Sequence, residues 1–207
     1  LHSDNPSEHK DVMRNGFRVV TTLIDDDLVR RLMDEYDGQI AYSYASPPSV
    51  DLSLAGARFW KAKRRVDPDF QQRAVARIKL IHRMQMSFDA PGILSFPYTS
   101  LLRTLWRAPD YRVSPHQYGA YLSKNSVHPL KCVPRQDAYL ALMALYVTAR
   151  FRLPMGKPVE PIYLTKQKAR GKIVKVSPIL ATRAGKEARL AAPRGLSVAI
   201  CKRQCDG

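Results

Sequence analysis

AYLALMALYVTA, residues 138–149, runs twelve positions without a charge, and whether it is helix or strand decides the fold. It is too short to cross a bilayer as a helix. Its Leu, Ala, Met and Tyr residues are spread over several turns, which we read as a helix from about Arg135 to Arg152, the most buried element of the chain. Its packing partner on this reading lies upstream. Asp67-Pro68 is an N-cap followed by proline at the first helical position, and Phe70, Ala74, Ile78, Ile81, Met84 and Phe88 recur on one face at a period of 3.6 residues up to about residue 88. Arg73 and Arg77 flank that stripe, with Lys79 and Arg83 opposite. Two such helices predict a mainly α protein with a small helical core.

Shorter signals fill the rest. Asp25 reads as an N-cap, Asp26 and Asp27 suit the positive end of the helix dipole, Leu28, Leu32 and Met33 form a stripe, and Gly38 stops the helix. Residues 41–49, with Pro47-Pro48, read as a linker. A helix over 50–65 ends in FWKAKRR, and another covers 99–107 around Leu101, Leu102, Leu105 and Trp106. A loop-rich stretch holds Tyr111, His116, Tyr118 and Tyr121. After Pro154 the chain turns extended: YLTKQKARGKIVKV, residues 163–176, alternates as a short strand or hairpin with Gly171 at the turn. A basic helix over 179–192 and a last strand over 196–201 follow. The expected organisation is an acidic segment with one helix (1–57), a basic helical core (58–153) and an extended basic C-terminal region containing short β strands or a hairpin (154–207), ordered mainly by what it binds.

Charge is distributed unevenly. The 207 residues carry a net +16. Residues 1–57 hold five Lys/Arg and ten Asp/Glu, so the remainder carries twenty-nine against eight. Such an excess points to a polyanion, with the acidic segment left for protein neighbours. The residues expected to meet phosphate are Lys61, Lys63, Arg64 and Arg65 beside Phe59 and Trp60, Arg73 and Arg77, then Lys166, Lys168, Arg170, Lys172 and Lys175, and last Lys202 and Arg203. Cations spaced along a strand or hairpin can track a phosphate backbone and release its counterions.

Three cysteines are too few for a disulfide framework and suit a reducing compartment. His128-x3-Cys132 and Cys201-x3-Cys205 together supply the four ligands of a closed tetrahedral site, a structural zinc or an iron–sulfur centre. The alternative is three unrelated cysteines and no cofactor. No glycine-rich phosphate loop, HExxH, nucleophile elbow or dinucleotide fingerprint is present. His82, off the apolar centre of its helix, reads as a surface or interface residue. Neither Asp110 with His116 nor Asp67 with Asp69 has a partner set that defines a reaction, so we expect no enzyme and no catalytic residues.

This make-up resembles, as a class, the ribosomal proteins of organelles: a small helical core, basic extensions, an acidic N-terminal segment and a start at Leu1. That start fits either removal of a targeting presequence or a matter of numbering. The resemblance implies a structural subunit of a mitochondrial ribosome in the matrix, bound to rRNA and to neighbouring ribosomal proteins. Two rivals stay open: a peripheral subunit of a mitochondrial inner-membrane complex, and an RNA-processing factor.

Overall fold

A computed structural model describes residues 26–36, 38–126, 133–167, 173–181 and 193–205. The chain divides into two units, 1–40 and 41–207. In the first, helix α1 (Asp26–Tyr36) ends at Gly38, whose φ of +67° is the left-handed stop that glycine adopts without strain.

The second unit is built on a sheet, which corrects the mainly α expectation. Four strands, β1 (Ser43–Ala45), β2 (Gly92–Pro97), β3 (Tyr111–Val113) and β4 (Met143–Val147), lie in the order β1-β2-β4-β3. β1 runs parallel to β2 and the other pairings are antiparallel. The decisive stretch is therefore not a helix. It enters through a single 3-10 turn (Arg135–Asp137) and then becomes β4, a central strand. Gln136 and Asp137 both have positive φ, 55° and 49°, so a helix cannot start through them.

The physical reason for the difference lies in what covers the sheet. Register puts Leu94 opposite Tyr146 and Phe96 opposite Ala144 on one face, and Ile93 opposite Val147 and Ser95 opposite Leu145 on the other. Helix α3 (Phe70–Ser87) covers the first face, where His82 meets Trp106 and Trp106 stacks on Tyr146. The second face packs Ile93, Val113 and Leu145 against Tyr118, Phe151 and three residues near the C-terminus, Leu196, Ala199 and Ile200. A strand buried on both faces loses its polar alternation and reads as a continuous apolar run.

Those C-terminal residues belong to helix α6 (Arg194–Cys205), not to a strand. Thus the last segment enters the core instead of waiting for a partner. Its N-cap, Pro193, accepts the first helical bond from Ser197 N–H at 3.0 Å but has no side-chain acceptor to offer. Asp137 supplies one from 58 residues away: its Oδ2 accepts Gly195 N–H at 3.0 Å and its Oδ1 accepts from Arg194 Nη2 at 3.4 Å. Gly195 is required by closeness, since a Cβ there would lie 2.5 Å from the Tyr118 carbonyl oxygen.

Other boundaries shift. The helix expected over 50–65 is a 3-10 turn (Leu54–Gly56) followed by α2 (Ala57–Val66), and that over 99–107 is a single turn, α4 (Leu102–Leu105). β1 lies within the expected linker, and β2 begins at the glycine of the Pro91-Gly92 pair, which reads from sequence only as a break. On α3 the buried face includes His82 and Gln85. Gln85 Nε2 donates to the Ile93 carbonyl at 2.8 Å and the Ser43 carbonyl at 3.4 Å, tying the helix to two strands. Strands β5 (Leu164–Gln167) and β6 (Ile173–Val176) pair antiparallel as a separate two-stranded ladder. Beyond it, α5 (Pro178–Ala181) buries Ile179 against Val133 and Tyr139. Of the basic helix expected over 179–192, residues 182–192 lie outside the described residues.

Candidate nucleic-acid interface

Helix α2 contributes little to the core. None of its ten residues is buried. It is held along one edge: Trp60 Nε1 donates to the Val50 carbonyl at 3.2 Å, and Lys63 pairs with Asp51 while its ammonium lies 5.9 Å from the centre of the Phe70 ring. Its entry is tight, because a Cβ on Gly56 would lie 1.8 Å from the Val50 carbonyl oxygen. Arg58, Phe59, Lys61, Ala62, Arg64, Arg65 and Val66 are all exposed. Arg58, Lys61 and Arg65, spaced i, i+3, i+7, form one exposed row. Phe59, Ala62 and Val66 form a second, with Phe59 45% and Val66 89% exposed. Arg64 lies beside the cationic row, and its Nη2 donates to Gln71 Oε1 at 3.4 Å.

Among the described residues, Arg58, Lys61, Arg64 and Arg65 make no salt bridge; each of these cations keeps its charge available. Lys63, Arg64 and Arg65 also occupy the last turn, where the helix dipole favours cations. Between α2 and α3 lies a groove of about 610 Å³ whose lining includes Phe70, Ala74 and Ile78, the cations Lys63, Arg73 and Arg77, and the acids Asp51 and Asp67. Arg73 is paired with Asp67. Of the residues expected to meet phosphate, Lys63, Arg73 and Arg77 thus line one groove, and Lys61, Arg64 and Arg65 lie on the same helix as Lys63.

The remaining cations lie on other elements. Lys166 stands on β5 and Lys175 on β6, where Lys175 is exposed with its ammonium 5.9 Å from the centre of the Tyr163 ring. Lys168, Arg170 and Lys172 are outside the described residues. Lys202 and Arg203 are exposed in the last turn of α6. Two residues of the candidate metal set, His128 and Cys132, are also outside them; Cys201 and Cys205 sit one turn apart on α6, and Cys201 Sγ is 3.8 Å from Tyr42 Oη. Among the described residues no group of three or more His, Cys, Asp or Glu is placed to hold a metal ion. No described helix is long and apolar enough to cross a membrane.

His82 is buried, which corrects its reading as a surface residue. Its ring stands edge-on to Trp106, and its Nε2 accepts from Arg107 Nη2 at 3.3 Å. Arg107 lies over the Trp106 and Tyr146 rings and pairs with Asp110 at 2.9 Å, and Asp110 Oδ2 accepts Val147 N–H at 2.8 Å. Burial first, and then the Arg107 charge, push the His82 pKa below 6.5. Burial raises Asp110, but Arg107, the Val147 N–H and His82 outweigh it and hold the carboxyl below its usual range.

A sign follows from this for stability. A histidine whose folded pKa is depressed favours the unfolded chain once protons bind there, so its contribution is intact above pH 6.5 and is lost as pH falls through that value. His116, also lowered by burial, acts in the same direction. We expect the unfolding temperature to fall as pH drops from 7 to 5, and His82→Gln to flatten the fall. An equally steep fall in His82→Gln, followed by circular dichroism, would assign it to other groups.

Sequence reasoning missed Arg58, Arg103, Arg112 and Tyr98, exposed or half-buried residues. Arg103 and Arg112 both lie over the Tyr98 ring, with Cζ 5.9 Å and 4.9 Å from its centre. Their segments are separate in sequence, so no local motif links them. Compared with known proteins, the chain matches no family model, no curated protein and no solved structure.

Proposed function

We propose that the protein is a structural, non-catalytic RNA-binding component of a ribosome, acting in the mitochondrial matrix through many shallow contacts to rRNA phosphates. The observation that carries the RNA reading is α2: a helix with no buried residue whose exposed row of Arg58, Lys61 and Arg65, with Arg64, has the charge and spacing to follow a phosphate backbone. The β5–β6 ladder supports it. It carries Lys166 and Lys175, the latter exposed, and two strands alone are marginal in water, so engaging a partner would consolidate it. The ribosomal and mitochondrial parts of the reading rest on the resemblance in overall make-up.

Sedimentation of organelle lysate with and without RNase, following the protein by mass spectrometry, tests this. Comigration with one ribosomal subunit at near one copy each, abolished by RNase, is the expected result. Migration with membrane complexes regardless of RNase would overturn it in favour of an inner-membrane subunit, and substoichiometric association would favour a processing factor.

A further inference from the structure

A second cationic site lies at the edge of the main sheet. A pocket of about 530 Å³ opens between α4, the chain leaving β2 and the edge strand β3, with Tyr98, Arg103, Asp110 and Arg112 in its lining. Its volume falls within the range of small-ligand sites. Three segments converge there for structural reasons: Tyr98 N–H donates to the Leu142 carbonyl at 3.1 Å, Arg112 pairs with Ala144 across the ladder, and Leu101 N–H ties the start of α4 to the Leu52 carbonyl at 2.8 Å.

The charges in this pocket are unequal in availability. Asp110 is consumed by Arg107 and the Val147 N–H. Arg103 and Arg112 have no salt bridge among the described residues, and both rest on one aromatic ring. A guanidinium laid on a ring keeps its edge donors free for phosphate and its outer plane free for stacking. Aromatic rings and guanidinium planes are also the surfaces on which unpaired RNA bases stack.

We propose that Tyr98, Arg103 and Arg112 receive a single unpaired nucleotide of RNA, its base stacked on the Tyr98–arginine layer and its phosphate held by the guanidinium edges. This rests on the RNA reading above and adds a preference for RNA with an extrahelical base, where α2 meets only backbone. A free mononucleotide carries the same chemistry, so it forms a separate arm of the test.

The experiment is fluorescence anisotropy with an RNA hairpin carrying a one-nucleotide bulge, its fully paired counterpart, and AMP as competitor. The wild-type protein is expected to prefer the bulged hairpin by about tenfold, the scale of one stacked base. Tyr98→Leu should abolish the preference and leave affinity for the paired hairpin unchanged; Arg103→Gln with Arg112→Gln, surface changes that spare the ring, should abolish it as well. Equal wild-type affinity for both hairpins would overturn the pocket and leave the RNA reading standing. Absence of binding to either would overturn both. Tight AMP binding without preference for the bulge would assign the pocket to a small molecule and overturn the proposal.

Discussion

Asp137→Ala lowers the stability of the protein by about 3 kcal/mol, within the range for losing hydrogen bonds to a buried charged group and a helix cap. For a chain of this size that is a fall of roughly 6 to 12 °C in unfolding temperature. Three effects add. The Gly195 N–H loses its acceptor, the Arg194 guanidinium loses the carboxylate 3.4 Å away, and an alanine must hold a φ of 49° that aspartate tolerates better. Pro193 cannot compensate because it brings no side-chain oxygen. Since α6 buries Leu196, Ala199 and Ile200 against Ile93 and Leu145, weakening its start loosens one whole face of the sheet. Asp137→Asn keeps an oxygen for Gly195 and the conformational tolerance, so it should cost about half as much. Equal losses in the two variants, measured by thermal unfolding, would assign the effect to the ion pair with Arg194 alone.

That one buried carboxylate also marks where the fold ceased to be legible. Helix α3 was readable because its main signal, apolar residues at helical spacing, is local, although it starts at Phe70 with Asp69 as its N-cap, two residues past the expected Asp67-Pro68 start, and Asp67 instead closes α2. Even so, its buried face includes His82 and Gln85, polar residues whose burial depends on Trp106, Arg107 and the Ile93 carbonyl, none visible from their own segment. β4 was not readable, because coverage on both faces removed the alternation that announces a strand. β1 has three residues and exists through its pairing with β2. α6 does carry a helical pattern in Leu196, Ala199 and Ile200, but Val198 and Ile200 near Cys201 also look like strand. The candidate interface was partly legible: FWKAKRR announced the cations of α2, yet the sequence did not say that the helix would leave every residue unburied. The Tyr98 pocket was not legible, since its ring and its two arginines come from separate segments.

The largest change in binding is expected from α2. Arg58→Gln, Lys61→Gln, Arg64→Gln and Arg65→Gln together remove four cations that make no salt bridge among the described residues, and glutamine keeps helix propensity close to that of lysine and arginine. Each phosphate that is no longer neutralised flattens the slope of log affinity against log salt by about 0.9 on duplex RNA, taking the value for B-form DNA as a guide, so four of them account for up to about 3.6. Near physiological salt this amounts to a loss on the order of a hundred- to a thousand-fold in affinity. Stability should move little, because no α2 residue is buried and the last-turn cations contribute only about 0.3 to 1 kcal/mol each through the helix dipole. Lys63 and Arg73 form the internal control: with Asp51 and Asp67 as partners, Lys63→Gln with Arg73→Gln should flatten the slope by less per charge removed. The distinction matters because a general loss of positive charge would weaken binding in proportion to the number of cations removed, wherever they sit. A quadruple variant with an unchanged slope would instead remove α2 from the RNA interface, and its exposed row of Phe59, Ala62 and Val66 would then be the surface to explain, as a seat for a neighbouring protein.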